Sequence, residues 1–304
     1  MDKDKQIQKI PKLSLEKLSE DSKLVKRGLK DLSVWPRIEE LFSKLRLAYK
    51  NEKIEECIKI AEEILRIDSN HFFTLCYYGR CLYLLGKYKE ALKVFNRCLK
   101  EEKNYYFLWY FRGDTYYKLG RYQKAMDDYR EALDLELEEF WYRTAGNEKG
   151  LSNPNKIPES IDLLDSFMDY WDVTDEVSLF KKAFCYFVFP GPDEIQNNRK
   201  IVKYLKLVLK SNPDNEVARK LFVAASEQLV DKVVGQDNKT ALVYINDALT
   251  YDPENSRLMA KKAILYEGLG NKKRAIEWIN KAKEKDPTDD ELNDIYEKIV
   301  GGSK

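Results

Sequence analysis

The chain of 304 residues is 35% charged and 43% hydrophobic, with a formal net charge of +1. That balance allows a continuous core but supplies no basic field for neutralising phosphates, which excludes a dedicated nucleic-acid binder. No apolar stretch nears the roughly 20 residues of a membrane helix, MDKDKQIQKIPK at the N-terminus has no signal-peptide core, and five cysteines without a C-x-x-C pair read as the reduced thiols of a cytoplasmic protein.

In chain order, residues 1–13 read as a disordered tail. Leu15, Leu18, Val25, Leu29 and Leu32 then form an apolar stripe along a charged segment, so 14–37 is expected to be a capping helix. A latch folded into a groove, or a dimerising helix, is the alternative for this segment. Next comes a period. Gly79 and Gly113 stand 34 residues apart, and so do Gly86 and Gly120, Tyr88 and Tyr122, and Ala91 and Ala125. Such spacing marks a helix–turn–helix array, in which each unit packs on its neighbours and presents a surface. One period back, 38–71 carries Cys57 in the place of Ala91 and Ala125, so 38–139 holds three contiguous repeats.

The stretch 140–215 is degenerate. A first helix is expected over 140–146, a loop over 147–158, helices over 160–170, 177–188 and 201–210, and a turn over 189–194, where Pro-Gly-Pro cannot continue a helix. Two further repeats occupy 216–289, the first lengthened by a loop at 233–238. From Ser256 the period is gapless, with Ala263, Tyr266, Gly270, Ala275, Ala282 and Pro287 in register. Thr288 and Glu291 read as a capping box. They open a C-terminal capping helix and tail over 290–304, with Leu292, Ile295, Tyr296 and Ile299 on one face and Gly301 as its stop. Residues 127–176 are acidic and 181–210 basic, which suits two solvated faces that attract one another or an acidic patch that steers a basic partner. Trp141 and Trp171 in the acidic stretch are either packed or ligand anchors.

Small residues recur where helices cross: Gly79 and Gly113 on the first helix of a pair, Ala91 and Ala125 on the second. Phe95, Tyr129 and Ile279 fill the core one turn on. Leu75, Gly79, Leu82, Gly86, Tyr88, Ala91, Phe95 and Cys98, and again Trp109, Gly113, Tyr116, Gly120, Tyr122, Ala125, Tyr129 and Ala132, closely resemble the tetratricopeptide repeat family. The resemblance implies an all-α solenoid, a right-handed superhelix of about seven helix pairs with capping helices at both ends.

It also implies a concave groove lined by the first helix of each repeat. Besides Glu39, Ser43, Lys50, Cys76 and Leu84, its positions carry the candidate binding residues Phe42, Arg46 and Tyr49, then Phe73, Tyr77, Arg80 and Tyr83, then Phe107, Tyr110, Phe111, Asp114, Tyr117 and Lys118. Aromatic and arginine side chains dominate interface hot spots, so a non-catalytic scaffold or adaptor that binds a peptide with apolar anchors and a carboxylate for Arg80 is expected. The competing reading packs these rings between helices. An alternative function is a peptide-responsive switch whose middle repeats order on binding, with hinges at 152–158 and at the Pro-Gly-Pro turn. Family members that bind chaperone tails use lysine and asparagine in the groove. Here Phe42, Cys76 and Tyr110 replace the lysine, and Arg46, Arg80 and Asp114 the asparagine, so that clamp is absent.

Catalytic chemistry finds no support. His71 is the one histidine, no nucleotide-binding glycine loop occurs, and the carboxylate pairs lie on helix surfaces. No cofactor and no metal are expected. Neither is single-stranded RNA stacked on the tyrosines, given the near-neutral charge.

Overall fold

The computed structural model describes residues 32–144, 175–188 and 193–301, with side chains placed over 33–136 in the first of these. Among them are thirteen α-helices and no strand, divided between two compact units. The tail at 1–13, most of the expected cap at 14–37, the loop at 147–158, the helix at 160–170, Trp171, the Trp141 side chain and the Pro-Gly-Pro turn lie outside the described residues.

The first unit holds three hairpins. α1 (Trp35–Lys50) pairs with α2 (Ile54–Ile67), α3 (Phe72–Leu84) with α4 (Tyr88–Glu101), and α5 (Tyr106–Lys118) with α6 (Tyr122–Thr144), each helix packing on the next. A 3-10 turn, Leu32–Val34, leads into α1, and Pro36 sits in its first turn, where the missing N–H has no helical partner to lose. The second helices are amphipathic. α4 buries Ala91, Phe95, Cys98 and Leu99 and turns Lys93, Asn96, Arg97 and Lys100 to solvent, the spacing of a one-faced helix. Two of the first helices, α3 and α5, are largely enclosed. α3, FFTLCYYGRCLYL, is buried almost all round because α2, α4 and α5 all pack on it.

The close crossing within each hairpin has a steric cause. A Cβ on Gly79 would lie 2.7 Å from Cε1 of Phe95, and one on Gly113 would lie 2.5 Å from Cε1 of Tyr129. The missing side chains let a ring of the second helix lie against the backbone of the first. The turns share a second constraint. Gly86 and Gly120 adopt φ of +74° and +71°, and their N–H groups donate to the carbonyls of Tyr83 and Tyr117 at 2.9 Å. Lys87 and Arg121 reach back to Leu82 and Tyr116, also at 2.9 Å. Both turns are thus left-handed C-caps that satisfy the last carbonyls of the helix. In the first repeat the same turn is made by Glu52 at φ 59°, whose N–H donates to Tyr49 O at 3.0 Å while Lys53 N–H donates to Ala48 O at 3.0 Å.

The third hairpin departs from expectation. No separate helix begins at 140, because α6 runs unbroken from Tyr122 to Thr144. Asn70 and Asn104, which follow the second helix in the first two repeats, are replaced at the same register by Glu138. A turn-forming residue has given way to a helix former.

The second unit holds α7 (Glu176–Val188) with α8 (Glu194–Ser211), α9 (Glu216–Val233) with α10 (Asn238–Tyr251), and α11 (Ser256–Gly268) with α12 (Lys272–Lys285), closed by α13 (Asp290–Gly301). Side-chain oxygens of Asp193, Asn215, Asp237, Asn255 and Asn271 accept from the backbone N–H three residues on, capping five of these helices in succession. The extra length of the penultimate repeat sits mainly in α9, 18 residues against 13 in α11, and not in the loop alone. α13 packs on α11 and α12 through Leu292 and Ile299. Its cap is Asp289 and not Thr288: Asp289 Oδ1 accepts from the N–H groups of Glu291 and Leu292 at 2.9 and 3.3 Å, while the Thr288 hydroxyl donates to Asp286 at 3.1 Å. No described helix is long and apolar enough to cross a membrane.

A non-glycine residue in the left-handed region is strained by about 1–2 kcal/mol. Replacing Glu52→Gly is therefore expected to raise stability by about 1 kcal/mol, after allowance for the greater freedom of glycine in the unfolded chain. A higher urea midpoint at unchanged slope is the result that checks it.

Candidate functional site

The thirteen side chains expected to line a groove all belong to α1, α3 and α5 of the first unit, and the structure does bring most of them together. Phe42 meets His71, Tyr77 and Phe73 at ring-centre separations of 5.3, 5.7 and 6.4 Å, and Tyr49 meets Tyr77 edge-on at 5.0 Å. Phe107 and Phe111 lie 5.8 Å apart, Tyr110 lies 6.3 Å from Tyr129, and Tyr117 lies 5.0 Å from Tyr122. Edge-on and tilted contacts at these separations are favourable aromatic geometries.

Their exposure is uneven. Phe42 and Arg46 on α1 are partly open, and Lys118 at the end of α5 is exposed. The other ten, Tyr49, Phe73, Tyr77, Arg80, Tyr83, Phe107, Tyr110, Phe111, Asp114 and Tyr117, are buried. Their rings are committed to one another and to the second helices. Of the thirteen, Phe42, Arg46 and Lys118 are the ones left open to solvent.

Arg80 is the charged centre of the buried set. Its guanidinium lies 4.7 Å from the Tyr83 ring and 4.8 Å from that of Phe111, and Nη1 is 3.7 Å from Oδ2 of Asp114. That distance is an electrostatic contact and too long for a hydrogen bond, and Nε and Nη1 have no acceptor. Burial opposes the charge, but Tyr49, Tyr83 and Asp114 outweigh it, so the guanidinium is held more firmly protonated than usual. Asp114 Oδ1 also accepts from the Tyr129 hydroxyl at 3.1 Å. On the other side of α5, Arg112 donates to both oxygens of Asp128, Nε to Oδ2 at 2.8 Å and Nη2 to Oδ1 at 2.7 Å. Both arginines thus have an acidic partner within the unit. Arg46 makes no ion pair among the described residues.

His71 belongs to the same wall. It caps α3: its Nδ1 accepts from the Thr74 N–H at 3.3 Å and lies 2.7 Å from the Thr74 hydroxyl. Burial pushes the imidazole down to about 4, against a smaller upward pull from Asp68. All five cysteines are free and buried. Burial drives the Cys76 thiol well above its ordinary range, so it supplies no thiolate nucleophile. Among the described residues no group of three or more His, Cys, Asp or Glu side chains is placed to hold a metal ion.

Residues 50–134 match the family model described as anaphase-promoting complex, cyclosome, subunit 3, and residues 236–299 match the tetratricopeptide repeat model. No curated protein matches the chain. Solved structures similar to it include YrrB, described as a TPR protein with an unusual peptide-binding site (15% identity, 78% of this chain and 97% of that one, TM-score 0.34). The structure described as the TPR2AB-domain:pHSP90-complex of yeast Sti1 is 18% identical over 87% of this chain and 98% of that one, with a TM-score of 0.31. A tetratricopeptide repeat protein from Parabacteroides merdae is 14% identical over 86% and 98%, with a TM-score of 0.32.

Two outcomes are expected from the buried charges. Removing one partner of a buried pair strands the other, so Asp114→Ala is expected to lower the stability of the first unit by about 3 kcal/mol, and the Arg80→Met/Asp114→Leu pair to recover most of it; denaturant unfolding of the three proteins checks both. For His71, the folded value of about 4 lies below the usual 6.5, so between those limits the unfolded chain binds a proton that the native chain does not. Stability therefore falls as pH drops from about 6.5 towards 4, by up to about 3 kcal/mol in all. His71→Asn keeps a capping side chain and is expected to flatten that part of the wild-type pH profile.

Proposed function

We propose, for a chain that belongs to the tetratricopeptide repeat family, a non-catalytic protein-interaction scaffold or adaptor whose repeats over 38–139 receive a peptide segment of a partner. The observation that carries this reading is the contrast between compensated and uncompensated groups on one face. Ten groove side chains are buried and Arg80 is balanced by Asp114, whereas Phe42 is partly open beside Arg46, which has no acid partner among the described residues. An aromatic anchor next to a free guanidinium suits an apolar side chain followed by a carboxylate. The ligand carboxylate is assigned to Arg46 and not to Arg80, and Lys118 extends the same charge preference along α5. The buried rings act as the rigid backing that holds these three groups in place.

The same side chains disfavour a chaperone-tail clamp, since Phe42, Cys76 and Tyr110 offer no ammonium. A reducing, cytoplasmic setting fits the five buried free thiols. The switch reading has its proposed hinges outside the described residues, and no contact within the two units favours it over an adaptor.

Selection of a displayed random peptide library on the full chain is the test. The strongest peptides are expected to carry an acidic residue or a free C-terminus near an apolar one, and to bind Phe42→Ala/Arg46→Ala at least tenfold more weakly with helical circular dichroism unchanged. Peptides that bind the double variant as tightly as the wild type would refute the placement.

A further inference from the structure

In the last repeat, α11 and α12 bring three cations onto two aromatic rings. Lys262 on α11 is only 7% exposed, and its Nζ lies 3.5 Å from the centre of the Trp278 ring on α12. Lys281 Nζ lies 4.5 Å from the same ring. One turn along α12, the Arg274 guanidinium lies 5.4 Å from the Tyr266 ring and donates to the Tyr266 hydroxyl at 3.4 Å.

The acid of this face is Glu277, and it is already engaged, bonded to Lys281 at 2.8 Å. Neither Lys262 nor Arg274 meets a carboxylate among the described residues. Cation–π contact offsets part of the loss of hydration, but it does not neutralise charge. An ammonium with little exposure and two like charges nearby is a costly arrangement. The cost is visible in the group itself: burial first, then Lys281 and Arg274, pull the Lys262 ammonium from 10.5 to about 8, with Glu277 acting the other way. An anion among the three cations would supply both the acceptor that Lys262 lacks and the charge that the cluster lacks. Lys272 and Lys273, exposed in the first turn of α12, add to the field that draws it in.

We infer that this face of the last repeat is an oxyanion site, taking a phosphoryl or carboxylate group of an acidic peptide segment between Lys262, Arg274 and Lys281 beside the Trp278 indole. The site belongs to the second unit and stands on its own contacts. The α1 face and this one can therefore fail separately, and a chain with both would hold two acidic segments.

The Lys262 amine reports on its own ligand. In the full chain with 13C-labelled lysine side chains, its titration is followed by NMR in sodium chloride, in sodium phosphate and with hexaglutamate, all at matched ionic strength. The Lys262→Gln variant identifies the resonance. Phosphate, hexaglutamate or both are expected to move the midpoint from about 8 back towards 10.5, and the active probe tells whether the site prefers a phosphoryl or a carboxylate group. Lys262→Gln is expected to weaken binding of the active probe about tenfold, the loss of one charge-assisted hydrogen bond. Glu277→Gln should strengthen it, and Lys239→Gln, an exposed lysine on α10, should leave it unchanged. An identical midpoint in all three solutions, or equal binding by the Lys262 and Lys239 variants, overturns the assignment.

Discussion

The second and third hairpins of the first unit each close because a glycine on one helix receives a ring from the other. At Gly113 that ring is Tyr129, which leaves no room for even a methyl group. The approach has electrostatic consequences as well. With Tyr129 against the α5 backbone, its hydroxyl reaches Asp114, and Asp114 in turn faces Arg80 on the neighbouring hairpin. One steric fit within a repeat thereby fixes the charged contact between repeats. In a solenoid, where stability is close to a sum of repeat and neighbour terms, such a link couples adjacent terms.

The same packing decides what is left for recognition. The groove-facing aromatic side chains on α3 and α5 are used up in the interior, and the buried arginine of that wall is balanced by an acid. What distinguishes a structural cation from one available to a partner is therefore its counter-charge. Arg80 and Arg112 have Asp114 and Asp128. Arg46 in the first unit, and Lys262 and Arg274 in the second, have none among the described residues. Arg46 lies on α1, and Lys262 and Arg274 lie close to one another in the last repeat, and it is on these uncompensated groups that the two proposed sites rest.

The repeat period made the hairpins legible from the chain alone, because glycine and alanine must recur wherever helices cross closely. Several features were not legible. Glu52 occupies a left-handed turn that Gly86, Gly120 and Gly270 take in later repeats of the chain, and nothing in its side chain announces φ 59°. The unbroken α6 runs through Leu137, Glu138 and Glu139, where the earlier repeats carry Ser69-Asn70-His71 and Lys103-Asn104-Tyr105, and so replaces the expected turn with helix formers. The burial of Tyr77, Arg80 and Tyr110 could not be read from their register, because register gives the direction a side chain faces and not what stands opposite it. Lys262 did leave a trace. It precedes the small residue Ala263 just as Arg112 precedes Gly113, yet α12 offers it no acid to match Asp128.

The central claim is that the glycine–ring fit organises the unit, and a double-mutant cycle between Gly113→Ala and Tyr129→Leu in the full chain addresses it most directly. If the fit organises the unit, the alanine destabilises the wild-type background by about 1–3 kcal/mol and the Tyr129→Leu background by much less, a coupling well outside the few tenths expected of independent sites. Effects that simply add would contradict the account, since they would mean that ring and glycine do not share the space between the helices.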